Sequence, residues 1–166
     1  MPPARHVAPN RVGERFEALI GIADKQMTIT KSELGYSGTP LWRKLGIAPG
    51  MRLLVHAAPR PYSDIVAPLP DAISIYDAPD GAIDLAHAFV TQKEELHAVL
   101  VTLRPVLRPE VPVWISWPKR TSRVPTDVTE DVIRTVALPM GYVDVKVSAV
   151  DSVWSGLKLV VRVANR

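Results

Sequence analysis

The apolar positions of this chain change their rhythm as it proceeds. Over 14–26, Phe16, Leu19, Ile20 and Ala23 recur at three- and four-residue spacing, the beat of a helix with one buried stripe. Ahead of it, 1–13 holds Pro2, Pro3 and Pro9 and few residues suited to a core, so it is expected to be a flexible arm. Pro40 can open a short helix through Leu45, because its missing N–H costs nothing at the first helical position, and Gly46 can end it. From position 49 the texture turns to short apolar runs between turns. Strands are predicted at 51–56, 73–77, 83–90 and 111–117, and the consecutive Leu53, Leu54 and Val55 suit a strand covered on both faces. Between the first two, 62–69 can make only a stub of helix before Pro68 and Pro70 stop it.

Two longer helices follow. Thr91 with Glu94 three residues on reads as a capping box, opening a helix that presents Leu96, Val99, Leu100 and Leu103 on one face and closes at Pro105. Asp127 with Glu130 marks another start, with Val128, Val132, Ile133 and Val136 inward. The end of the chain alternates instead. Val143, Val145, Val147 and Ala149 are expected to face the core, against Asp144, Lys146 and Ser148. The same beat returns over 157–163, with Lys158 and Arg162 outward. This is the pattern of a half-exposed antiparallel pair, with Trp154-Ser155-Gly156 read as part of the connection. Strands alternating with helices and closing in a hairpin predict one α/β domain, a Rossmann-like three-layer sandwich on a mostly parallel sheet. Its parts are the arm 1–13, an N-terminal helical segment 14–48 and a compact α/β unit 49–166.

Composition narrows the chemistry. The 166 residues are 47% hydrophobic and 22% charged, which suits a globular domain. The absence of cysteine excludes a disulfide framework, thiolate zinc, iron–sulfur clusters and a cysteine nucleophile. The net charge of +3 comes from cations spread along the chain rather than gathered in one stretch, which disfavours nucleic acid as a partner. The proline-rich start has no apolar centre of a secretory signal, and no run approaches the roughly 20 apolar residues of a membrane span, so a cytoplasmic protein is expected.

Two resemblances follow from particular residues. The order of elements, with Ile83-Asp84-Leu85 before Phe89-Val90 and the stretch from Leu103 to Pro109 leading into Val113-Trp114-Ile115-Ser116, resembles the class I S-adenosylmethionine-dependent methyltransferases. Gly35-Tyr36-Ser37-Gly38-Thr39-Pro40-Leu41, Lys44-Leu45-Gly46-Ile47, Pro49-Gly50, Ser116-Trp117-Pro118-Lys119, Thr126-Asp127, Val143-Asp144-Val145-Lys146 and Trp154-Ser155-Gly156-Leu157-Lys158 resemble a bacterial domain family with no assigned activity. The first resemblance implies a fold and a cofactor; the second implies no chemistry.

The residues speak against that cofactor. An adenosyl pocket needs glycines after the first strand, one for the tight turn and another to admit the ligand against the backbone. The run here is His56-Ala57-Ala58-Pro59-Arg60-Pro61-Tyr62, without glycine and with two prolines. Asp77 stands where such domains hold a ribose, and it also suits a simple turn before Pro79 and Gly81. The segment from Ser116 to Arg123, with Trp117, Lys119, Arg120 and Arg123, follows a central strand and could hold an anion, or could be a solvated basic loop with Trp117 packed inward. Gly35 to Thr39 could be an anion loop or a connector, and it lacks the ending of a phosphate-binding loop. His6, His56, His87 and His97 lack the spacing of a metal site, and there is no Gly-x-Ser-x-Gly elbow. No cofactor and no metal are therefore expected. The leading expectation is a non-catalytic binding or regulatory module, with a protein partner or a second copy meeting the hairpin edge. A small-ligand binder or transferase using His56, Asp77, Ser116, Trp117 and Lys119 is the alternative, and a weak nucleic-acid contact through Arg43, Lys44, Lys119, Arg120 and Arg123 is another.

Overall fold

The computed structural model describes His6–Val7 and residues 38–166. The predicted helix 14–26, the loop residues Gly35 to Ser37 and most of the arm 1–13 lie outside the described residues. The strands are β1 (His6–Val7), β2 (Arg52–His56), β3 (Ser74–Tyr76), β4 (Leu85–Phe89), β5 (Val113–Pro118), β6 (Tyr142–Ala149) and β7 (Trp154–Val161). The helices are α1 (Leu41–Leu45), α2 (Tyr62–Ile65), α3 (Lys93–Leu103) and α4 (Glu130–Ala137). One sheet holds all the strands in the order β1-β3-β2-β4-β5-β7-β6. β3, β2, β4 and β5 run parallel, while β7 lies antiparallel to β5 and β6 antiparallel to β7. The mostly parallel α/β sandwich with a closing hairpin is thus observed. His6–Val7 departs from the expected arm: it pairs antiparallel with β3, whose outer edge would otherwise leave its backbone groups unpaired.

β4 is buried at every position, so it reads as a continuous apolar run broken only by His87. Its Ala86 and Ala88 face one core with Leu54, Ile115 and the inner sides of α3 and α4. Leu85 and Phe89 face a second core with Leu53, Trp114, α1 and α2. Trp114 is fully buried and donates its indole N–H to the carbonyl of Leu45 at 2.8 Å, tying α1 to the sheet. Gly156 stands opposite Ser116 in the ladder because a Cβ there would meet Trp114 Cε3 at 3.2 Å and Ser116 Oγ at 3.3 Å.

Four local expectations are corrected. The helix after β4 has no capping box: Gln92 precedes it with no side-chain cap, and the Lys93 N–H donates to Asp127 Oδ1 at 2.7 Å instead. With Asp127 committed to α3, its own helix starts later, capped by Thr129, whose hydroxyl accepts the Val132 N–H. In β6 an irregularity between Asp144 and Lys146 shifts the alternation, so Val145 and Val147 are 53% and 50% exposed while Tyr142 and Ser148 turn inward. Trp154-Ser155-Gly156 belongs to β7 rather than to the connection, which is the turn closed by Asp151 accepting from the Val153 and Trp154 N–H groups.

The chain passes from β3 to β4 across β2 in the short stretch 77–84, with no helix. Parallel strands ordinarily take a crossover of a dozen or more residues, usually helical. Among the described residues, the side of the β2–β3 pair that carries Leu54 and Tyr76 is therefore roofed by α3 and by that loop.

Asp127 holds α3 from a separate loop, with the Thr126 hydroxyl donating to the Thr91 carbonyl at 2.6 Å beside it. Replacing Asp127 with alanine is expected to cost about 1 kcal/mol, the usual worth of a capping side chain, and to lower the melting temperature by roughly 2–4 °C. Thermal unfolding followed by circular dichroism reads the change, and an unshifted midpoint would refute the cap.

Candidate functional site

Ligands of open parallel sheets sit beyond the carboxyl ends of the strands. At the end of β2 the chain bends through exposed His56 and then Ala57, whose φ of 56° lies in the left-handed region that favours glycine. Pro59 and Pro61 follow, and Pro61 leads into α2, which has only four residues. The bend is pinned from outside by Arg60, which donates to Asp151 Oδ2 at 3.0 Å. Burial opposes ionisation of Asp151, but the N–H groups of Trp154 and Val153 and the Arg60 guanidinium outweigh it and hold the carboxyl below its ordinary range.

Beside this bend a cavity of about 230 Å³ opens between α3 and the sheet. Leu54, Ala86, Ala88, Val99 and Leu103 form its buried apolar wall. His56, Asp77 and Glu95 line it where it meets solvent, and His56 Nε2 stands 3.8 Å from Glu95 Oε1. Among the described residues no helix joins β3 to β4 over this space, and the loop 77–84 contributes Asp77 and Pro79 to its lining.

Of the five residues expected to share a pocket, the structure brings His56 and Asp77 together and places the other three elsewhere. Ser116 is fully buried, and its Oγ lies 2.6 Å from His87 Nε2. Trp117 is half-buried against the α3–α4 core. Lys119 donates its ammonium to the Asp151 carbonyl at 2.7 Å, so the cation fastens the hairpin turn. Arg120 and Arg123 are exposed on the turn after β5, whereas Arg43 and Lys44 are on α1, with the Arg43 guanidinium 5.2 Å from the Trp42 ring. Glu95 was not singled out in the sequence; its signal was its place in the first turn of the helix after β4, opposite the end of β2.

Sequence reasoning also missed a buried polar chain. The Tyr62 hydroxyl is 2.8 Å from His87 Nδ1, and His87 Nε2 reaches Ser116, so a strand histidine has both nitrogens satisfied inside the core. The imidazole also stacks on Phe89 with ring centres 4.4 Å apart. Burial lowers the His87 pKa to about 3 and raises that of Tyr62, so both stay neutral. A serine, a histidine and a third partner in line suggest a nucleophile, but His87 is 1% and Ser116 0% exposed. Both side chains are closed to bulk solvent. Among the described residues, no three His, Asp or Glu side chains gather as a metal site, and no helix is long and apolar enough to cross a membrane.

No family model matches the chain, and no curated protein matches it by sequence. Solved structures do resemble it. An S-adenosylmethionine-dependent methyltransferase from Aquifex aeolicus superposes with a TM-score of 0.57 at 15% identity, covering 94% of this chain and all of that one. A candidate type 11 methyltransferase from Sulfolobus solfataricus gives 0.54 at 12% identity, covering 74% of this chain and 89% of the other. The scaffold is methyltransferase-like. At such identities the likeness is one of fold, and function has to come from the site.

The cofactor implied by that scaffold does not fit the bend. Ala57 keeps a glycine-like backbone angle, but the bend holds no glycine, and Pro59 and Pro61 offer no N–H to a ligand. α2 is too short to present a helix dipole.

The His87 site sets a pH dependence. The unfolded chain takes up a proton near the ordinary histidine pKa of 6.5, which the folded protein refuses until about 3. Stability from this group is therefore complete above 6.5 and is lost as pH falls below it, at up to about 1.4 kcal/mol per pH unit. Urea unfolding of the native protein between about pH 7 and pH 5 should show this slope, and the slope should shrink in His87→Gln. Should that variant fail to fold, the imidazole resonances of His87 in the native protein decide: they should not titrate over the same interval, and a midpoint near 6.5 would defeat the assignment.

Proposed function

We propose that this domain is a non-catalytic ligand-binding or regulatory module that retains a methyltransferase-like scaffold without its cofactor cradle. The bend at 56–62 carries this reading: it stands where the scaffold would hold a nucleotide, and it offers two prolines and no glycine. The sealed Ser116–His87 pair supports it, since the one Ser–His contact within hydrogen-bond reach among the described residues is closed to solvent. The open space at the carboxyl end of the sheet instead lies on the α3 side, with apolar walls and polar groups near its opening. That is the usual make-up of a site that binds by shape and a few directed contacts.

Titrating the full-length protein with S-adenosylmethionine and S-adenosylhomocysteine tests the reading. A ligand present at about a hundredfold excess over its Kd stabilises by roughly 2.7 kcal/mol, a rise of about 5–10 °C in melting temperature for a domain of this size. The expected result is no rise with either compound and no calorimetric heat of binding. A saturable rise with either would overturn the proposal.

A further inference from the structure

We infer that the cavity beside α3 binds a small aromatic amine, a bicyclic ring carrying a cationic nitrogen on a short arm. This inference rests on the ligand-binding reading above and names the ligand class of that site. Three observations carry it. The first is size: a cavity of about 150 Å³ holds one benzene ring, so the 230 Å³ here suits two fused rings.

The second is the wall. Leu54, Ala86, Ala88, Val99 and Leu103 present hydrocarbon, and the polar groups within reach of it are already engaged. The Thr102 hydroxyl donates to the Ala98 carbonyl at 2.8 Å, and His87 spends both ring nitrogens on Tyr62 and Ser116. A polar group sunk to that depth would lose its water and gain nothing, at a cost of about 1–3 kcal/mol. The buried part of the ligand is therefore apolar.

The third is the sign of the charge. Among the described residues, the ionisable groups lining the cavity are His56, His87, Asp77 and Glu95, of which His87 is committed to Tyr62 and Ser116, and no lysine or arginine lines it. An ammonium at the opening meets the Glu95 carboxylate favourably, while a carboxylate on the same ring would face like charge.

Tryptamine, indole and indole-3-acetate have the same ring and differ in charge. Calorimetric titration of the full-length protein is expected to rank tryptamine first, a few-fold tighter than indole and at least about tenfold tighter than indole-3-acetate. Glu95→Gln should bring tryptamine down towards indole while leaving indole unchanged. Ala98→Trp, at an exposed position on α3 that lines the cavity, should fill the space and abolish all three. Equal binding of the acid, a tryptamine preference that survives Glu95→Gln, or no binding by any of the three would overturn the ligand class. Adenosylmethionine in the same titrations separates the two failures: its binding, or the appearance of adenosylhomocysteine when it is mixed with tryptamine, defeats the non-catalytic reading, whereas silence from the indoles alone defeats only the ligand.

Discussion

A parallel sheet is stable in water only where both of its faces are covered, and the architecture of this domain follows from how that cover is distributed. α1, α2 and the packing of Trp114 and Phe89 close one face. On the other, α3 and α4 cover β4, β5 and the hairpin, but no described helix lies over β2 and β3. The chain reaches β4 from β3 too quickly to build one. Among the described residues, the cavity lies on this thinly covered strip beside a densely packed one, at the carboxyl end of the strands.

The two sides of β4 divide the work between them. On the α1–α2 side a histidine is kept neutral by burial and has both ring nitrogens satisfied by a tyrosine and a serine. On the α3 side the alanines at 86 and 88 leave room. Alternation along one strand thus sets a rigid polar staple behind an open apolar floor. The staple joins α2, β4 and β5, so the bend that precedes α2 is fixed from below by Tyr62 and from outside by the Arg60–Asp151 pair. The shape of the cavity's edge at His56 depends on both.

Most of the fold could be read from spacing alone, because period and punctuation are local properties. Leu53 and Leu54 announced a buried strand, and Leu96, Val99, Leu100 and Leu103 announced the buried side of α3. What failed was set by contacts between distant segments. Asp127 looked like the cap of the helix that follows it and serves the helix that precedes it, across 34 positions of chain. Val145 and Val147 looked buried until an irregularity in the β6 ladder reversed them. At the site, His56 and Asp77 were legible because both close parallel strands at the same edge. Lys119 and Ser116 were not, since a lysine that caps a turn and a serine that satisfies a core histidine have the same local sequence as ones that meet a ligand. Glu95 needed the fold before it could be placed near His56.

Ala57 has a wider consequence. Its left-handed angle, held by the fastenings on either side, is one that L-residues adopt at a cost of about 1–2 kcal/mol. The turn therefore filters its own mutations. Valine, isoleucine or threonine would add a branched carbon to an angle already unfavourable for alanine, while glycine, asparagine and aspartate would relax it. Drift at this position is channelled towards small or turn-forming residues, so the bend keeps its outline even as its sequence changes.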